Sequence, residues 1–204
     1  GRLNQSNIKL INLDKIITDI GTNNSFDARY YYSSKAPYTV SFFKNYAQAI
    51  KPLIMSSNGM AKKALIFDCD NTFWKGILGE DGIDGIDVSA ETKNGVIFQE
   101  IQSIALSLSQ SGVILGLCSK NNPEDVDEVL ANHTDMVLRD KDITIKEVNW
   151  SDKATNLRNI AKILNIGLDS MVFVDDSHFE VNLIKEQLPE VTVSGGGEVC
   201  DDGS

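Results

Sequence analysis

The chain has 204 residues, enough for one well-filled core and a small appendage, and its 42% apolar and 24% charged residues are those of an ordinary globular protein. It contains no run of about 18 apolar residues to span a bilayer as a helix, and a net charge of −10, from 29 acidic against 19 basic side chains, repels phosphate backbones. The expectation is therefore no membrane span and no nucleic-acid partner, while three widely spaced cysteines (Cys69, Cys118, Cys200) argue against a disulfide framework or a Cys-x-x-Cys zinc site and for a reducing, cytoplasmic setting. The start at Gly1 carries no basic segment followed by an apolar leader and reads as the trimmed edge of a longer polypeptide.

Residues 1–60 read as a helical lead-in packed on the core, with apolar residues at three- and four-residue spacing from Leu13 to Ile20 and from Val40 to Ile54, and Tyr30-Tyr31-Tyr32 between. The turn-rich SSNGMAKK at 56–63 leads into a catalytic domain over 61–194, where short apolar runs alternate with helical stretches. Ala64–Phe67 is the first expected strand, Thr92–Gln110 a helix and Val113–Cys118 the second strand. Asn122-Pro123-Glu124-Asp125 starts a helix, with a cap residue, a proline at the first helical position and acids in the first turn. Met136–Leu138 and Ile143–Val148 are further strand candidates, Ser151 caps a helix bearing Leu157, Ile160, Ala161 and Leu164, and Met171–Val174 is the next strand. The tail from 195 to 204 reads as a flexible linker. The pattern is an α/β fold: a Rossmann-like three-layer α/β/α sandwich with a parallel sheet, a minimal cap and a helical N-terminal lead-in.

In open parallel sheets ligands bind outside the carboxyl ends of the strands. Asp68 and Asp70 follow the first strand, Ser119 and Lys120 the second, and Asp175 and Asp176 the strand Met171–Val174, while Lys153 starts the helix upstream. Four carboxylates in one crevice repel each other unless a cation lies between them, and a hard ion such as Mg2+, which takes oxygen ligands, is the natural remedy. With it in place a carboxylate oxygen of Asp68 can attack phosphorus, Asp70 can move the proton, and Ser119 and Lys153 can hold the phosphoryl oxygens. Trp74, just after the catalytic loop, is a candidate wall of the substrate slot, with the glycine-rich KGILGEDGIDG as a flap over the entrance, and Thr72 and Lys120 are further candidate substrate binders.

Asp68-Cys69-Asp70-Asn71-Thr72, the strand ending in Ser119, Lys153 and Asp175-Asp176 resemble, in order, the four motifs of the haloacid dehalogenase-like (HAD) phosphotransferase superfamily. FDCDNTFWKGILGEDG, CSKNNPEDV and MVFVDDSHFEVNLIK, with the lead-in INLDKIITDIGTNNSFDARYYYSSKAPYT, are similar to its FkbH-like branch. The resemblance implies Asp68 as nucleophile, Asp70 as general acid/base, Ser119 and Lys153 as phosphate binders, and Asp68, the backbone carbonyl of Asp70 and Asp176 as Mg2+ ligands, with Asp175 as a second choice. It further implies that a three-carbon unit is taken from 1,3-bisphosphoglycerate or a related phosphorylated acid, that phosphate is lost, and that a glyceryl or lactyl-type group is loaded onto an acyl carrier protein in polyketide biosynthesis, with Cys69 holding the acyl group in transit. A lowered thiol pKa beside a cation favours that role, whereas strand alternation turns Cys69 away from the face of Asp68 and Asp70. The rival readings are a phosphohydrolase of a small phosphorylated metabolite and a non-catalytic docking module. His133 and His178 read as structural, and Cys200 as inert.

Overall fold

The computed structural model describes residues 62–195, so the lead-in expected over 1–60 and the tail from 196 lie outside the described residues. The chain divides into two units at Ala61, and the second, from Lys62, holds every strand named below. Its sheet is built from β1 (Ala64–Phe67), β2 (Ile114–Ser119), β3 (Ile145–Val148), β4 (Met171–Val174) and β5 (Thr192–Ser194), all parallel, in the order β3-β2-β1-β4-β5. This is the expected Rossmann-like parallel sheet. β1 is buried along its whole length, because a central parallel strand is covered on both faces, and the sequence there is accordingly a continuous apolar run.

The helices are α1 (Leu78–Asp81), α2 (Gly95–Gln110), α3 (Pro123–Asn132), α4 (Lys153–Leu164) and α5 (His178–Gln187). Right-handed crossovers put α2 and α3 on one face of the sheet and α4 and α5 on the other, because the chain runs outward from β1 through β2 to β3 and then returns past β1 to β4. Between sheet and α4/α5 lies one apolar cluster, with Ala64, Ile66, Met171 and Phe173 from the strands meeting Leu157, Ile160, Ile184 and Leu188. The reversal in strand order falls at β1, so the carboxyl end of that strand opens into the crevice where parallel sheets bind ligands.

Local chemistry moves several expected boundaries. Helix α2 starts at Gly95 instead of Thr92, because the Thr92 hydroxyl accepts the Gly95 N–H (2.8 Å) while donating to Asp87 (2.5 Å), and so serves as a lead-in to the first turn. Helix α4 is capped by Asp152, which accepts from the Thr155 N–H at 2.8 Å, and not by Ser151, whose own N–H is taken by the Asn149 side chain. Met136–Leu138 is not a strand. The buried Gln102 side chain captures the N–H groups of Val137 (3.0 Å) and Leu138 (3.1 Å) that a ladder would have used, while its amide donates to the Phe73 carbonyl (2.9 Å). Met136 and Leu138 are nevertheless buried, which is why the segment looks strand-like in sequence.

Gln102 thus ties the loop after β1 to the segment before β3. Replacing it by Leu, which fills similar space but offers no polar atoms, leaves the Phe73 carbonyl and two N–H groups without their partner, and the expected loss is about 2–4 kcal/mol in urea unfolding. A loss below about 0.5 kcal/mol would show the tie to be dispensable.

Candidate active site

The peptide after β1 is drawn into a tight loop: the Cys69 carbonyl faces the N–H groups of Thr72 (3.2 Å), Phe73 (2.8 Å) and Trp74 (3.3 Å). Asn71 takes a positive φ of 55°, the left-handed conformation that Asn tolerates better than most residues, and its side-chain oxygen accepts from Lys75 (2.8 Å) and from the Gly76 N–H (3.2 Å). The carboxylates of Asp68 and Asp70 are thereby carried to the end of the central strand.

Asp68 is buried at 6% exposure and lies 3.0 Å from the Lys153 ammonium, which also donates to Asp175 at 2.6 Å. Asp175 is itself buried and accepts the Ser177 N–H at 2.9 Å, so both its oxygens are engaged. Asp176 is exposed, with one oxygen accepting from the Thr72 hydroxyl (3.3 Å). Ligand oxygens of Asp68, Asp175 and Asp176 all lie within 4.8 Å of one another. Burial, and then the neighbouring Asp175 charge, push the Asp68 carboxyl up to about 7 against the opposing pull of Lys153. Burial and Asp175 also raise Asp176. Burial works against the Lys153 charge, but Asp68 and Asp175 outweigh it and hold the ammonium above its ordinary range.

One ammonium cannot neutralise three close carboxylates, and the donors are hard oxygens with no thiolate or imidazole among them. That set suits Mg2+, which is held by one or two carboxylates and keeps places for water or phosphate oxygens. Because Lys153 and Ser177 occupy Asp175, the exposed Asp176 is the better placed of the pair to serve as a ligand together with Asp68. Carboxylates must be ionised to hold a cation, so with Asp68 near 7 the affinity for Mg2+ rises with pH through neutrality. The expected result is a larger gain in melting temperature from added Mg2+ at about pH 8 than at about pH 6. Equal gains at both would contradict it.

Asp70 is held in a different way. Its Oδ1 accepts from the Trp74 indole (3.1 Å) and the Leu78 N–H (3.0 Å), and its Oδ2 from the Asn121 amide (3.0 Å), which also reaches the Ser119 hydroxyl at 3.2 Å. Ser119 is buried, and its hydroxyl is hydrogen-bonded to Asp68. Asn121 is a functional candidate that the sequence reading did not single out; the only signal is its place in the Ser-Lys-Asn string after a strand end.

Five expected roles meet a different arrangement. Trp74 is completely buried and holds Asp70 from behind, so it lines no open slot. The glycine-rich segment expected as a flap is tied down by that same Asp70 bond to Leu78, by the pairing of Lys75 with Asp87, and by α1. Thr72 is buried, its hydroxyl accepting the Asp176 N–H (2.9 Å), so it joins two strand-end loops and is not free for phosphate. Lys120 is half-exposed and paired with Glu180 at 2.6 Å instead of turned onto the phosphoryl position. The Cys69 thiol is completely buried, and burial followed by the charge of Asp68 pushes it well above the ordinary thiol range, the reverse of what an acyl acceptor needs. Of the two histidines, His178 is exposed at the start of α5 and His133 ends α3.

Among solved structures, the chain is similar to the N-terminal part of the protein BF1531 from Bacteroides fragilis, which contains a phosphatase domain and was crystallised with Mg: 37% identity, a TM-score of 0.68, and coverage of 90% of this chain and 49% of that one. The fold is that of a phosphatase domain. The chain spans about half of that relative's length. More distant likenesses are a HAD family enzyme, bt-2542 from Bacteroides thetaiotaomicron, in complex with magnesium and inorganic phosphate (12% identity, TM-score 0.46, 68% of this chain and 97% of that one), and the 3-deoxy-D-manno-octulosonate 8-phosphate phosphatase of Moraxella catarrhalis (23%, 0.41, 67% and 70%). Neither a protein-family model nor a curated protein sequence matches the chain. Among the described residues no helix is long and apolar enough to cross a membrane.

Proposed function

We propose that this chain is a Mg2+-dependent phosphoryl-transfer enzyme of the HAD phosphatase kind, acting on a phosphorylated three-carbon acid. The observation that carries this reading is the convergence of Asp68, Lys153, Asp175 and Asp176 at the end of the central strand. A free carboxylate oxygen of Asp68 attacks phosphorus, and the bond from phosphorus to the leaving oxygen breaks, that oxygen taking a proton from Asp70. A water then gives its proton back to Asp70 and attacks the same phosphorus, which releases inorganic phosphate and regenerates the Asp68 carboxylate. Lys153 faces Asp68 and neutralises charge on the phosphoryl oxygens, while the Asp70 Oδ2, which accepts a single hydrogen bond, keeps a position open for the moving proton. Asp68 and Asp176, with the backbone carbonyl of Asp70 as the family resemblance implies, would hold Mg2+, which when bound would add charge neutralisation at the phosphoryl group.

The finer reading, supported by the FkbH-like strings in the sequence, takes 1,3-bisphosphoglycerate as substrate and an acyl carrier protein as acceptor, in the cytoplasm. The minimal cap, a loop and the four-residue α1 after β1, leaves room for a protein-borne thiol. In this reading the carrier's own thiolate attacks the acyl carbon, the bond from that carbon to the phosphate oxygen breaks and inorganic phosphate departs with the electron pair. Asp68 then takes the remaining phosphoryl group from its ester oxygen, which is protonated by Asp70, and water releases it as a second phosphate, leaving glyceryl on the carrier. The buried Cys69 takes no part. Incubation with Mg2+, 1,3-bisphosphoglycerate and a carrier protein, followed by intact mass measurement of both proteins, is the test. A glyceryl increment on the carrier that persists in Cys69→Ala supports direct transfer. Loss of that increment in Cys69→Ala restores Cys69 as intermediate carrier, and free phosphate with an unloaded carrier leaves the phosphohydrolase reading.

A further inference from the structure

The ion pair between Lys120 and Glu180 lies outside the phosphoryl-transfer machinery described above, yet its position is unusual. Lys120 follows Ser119 at the end of β2, and Glu180 sits in the first turn of the helix that follows β4. β2 and β4 are the two strands that flank β1, so a 2.6 Å contact between these residues straddles the end of the catalytic strand.

The two partners are unequal. The Lys120 side chain keeps 40% of its exposure, whereas Glu180 is buried and one of its carboxylate oxygens has no hydrogen-bond partner. A buried carboxylate with an orphaned oxygen is costly, and here it anchors an ammonium at the carboxyl ends of the strands whose one side-chain partner among the described residues is Glu180. Among the described residues, two other cations at these strand ends have partners of their own: Lys153 lies between Asp68 and Asp175, and Lys75 is bonded to Asn71 inside the β1 loop.

We propose that Lys120, held across the crevice by Glu180, is the specificity cation of this site, which recognises a second anionic group, a carboxylate or a second phosphate, on a substrate whose transferred phosphoryl group sits at Asp68. Glu180 is a positioning residue in this arrangement. The inference rests on the phosphoryl-transfer reading and adds the residue that would select substrates with a second anionic group over phosphate monoesters that lack one.

The test uses two unreactive probes, phosphonoacetate, which carries a carboxylate beside its phosphonate, and ethylphosphonate, which does not. Both are titrated calorimetrically into the Mg2+-loaded protein, with turnover of p-nitrophenyl phosphate followed in parallel. Wild-type protein is expected to bind phosphonoacetate about tenfold or more tightly than ethylphosphonate, the worth of one charge-assisted contact. Lys120→Met brings the ratio to near one, Lys120→Arg retains most of it, and Lys75→Met leaves it unchanged; melting temperatures verify that each variant is folded. A ratio that survives Lys120→Met, or that collapses in Lys75→Met, overturns the inference. Turnover without any preference in the wild type overturns it also, leaving the phosphoryl-transfer reading in place, whereas absence of both turnover and phosphonate binding overturns the two together.

Discussion

Asp68→Asn is expected to lower Mg2+-dependent phosphate release by at least about a thousandfold while leaving the protein as stable as the wild type or more so. The amide keeps the shape of the side chain but cannot capture phosphorus, so the loss falls on turnover rather than on substrate affinity. The stability half follows from sign. The Asp68 pKa is about 7 in the folded protein, above its unfolded value, so the folded state binds the proton more tightly and stability falls as pH rises from about 4 through 7. Above neutrality the ionised carboxylate is a liability in the metal-free protein, and a neutral amide removes it. A metal-free melting temperature at about pH 8 that drops together with activity would assign Asp68 a structural role instead.

The second large effect is expected at Lys153. In isolation a lysine at the first position of a helix is misplaced, since the helix dipole disfavours a cation there by about 0.3–1 kcal/mol. Two carboxylates at 3.0 and 2.6 Å outweigh that penalty. Lys153→Met leaves Asp68 and Asp175 buried without their cation, and the expected cost in metal-free protein at about pH 8 is 3–5 kcal/mol of stability, because breaking one side of a buried ion pair strands the other. Lowering the pH, which protonates the stranded Asp68, and adding Mg2+ are both expected to recover part of it. Turnover with saturating Mg2+ is expected to fall by about 10²–10³-fold, the usual effect of removing one electrostatic stabiliser of a developing charge. Stability within about 0.5 kcal/mol of wild type under metal-free conditions would mean that the pair contributes little.

The elements most legible in the sequence were those whose residues are buried on both faces. β1 and β4 coincide with their apolar runs Ala64–Phe67 and Met171–Val174, because a parallel strand covered by helices cannot alternate with polar residues. Met136–Leu138 carries a similar apolar signal, and Met136 and Leu138 are buried, but a side-chain amide from Gln102, more than thirty residues away in the chain, claims its backbone. Such a long-range contact leaves no periodic trace. β5 has only three residues, and α5 has a buried glutamate at position 180 where a periodic reading looks for an apolar one, so neither declares itself.

The candidate site shows the same division. Asp68, Asp70, Ser119, Lys153 and the Asp175-Asp176 pair could be placed together because strand ends of a parallel sheet converge, a rule that needs only element order. What each side chain touches depends on distances that element order does not supply. Thr72 bonds Asp176 across more than a hundred residues, Lys120 bonds Glu180 rather than phosphate, and Trp74 turns inward to hold Asp70. Asn121 stayed hidden because an amide in a polar loop has many bland explanations, and only the pair of bonds to Asp70 and Ser119 distinguishes it.

The most direct measurement is acid-quench trapping: the Mg2+-loaded protein is mixed with a phosphorylated substrate, stopped within one turnover, and its mass and phosphorylated peptide are determined. The expected result is a single phosphoryl increment mapped to Asp68 and absent in Asp68→Asn. A phosphoryl group mapped to another residue, or turnover with no covalent phosphoryl on the protein at any time, would contradict nucleophilic attack by this aspartate.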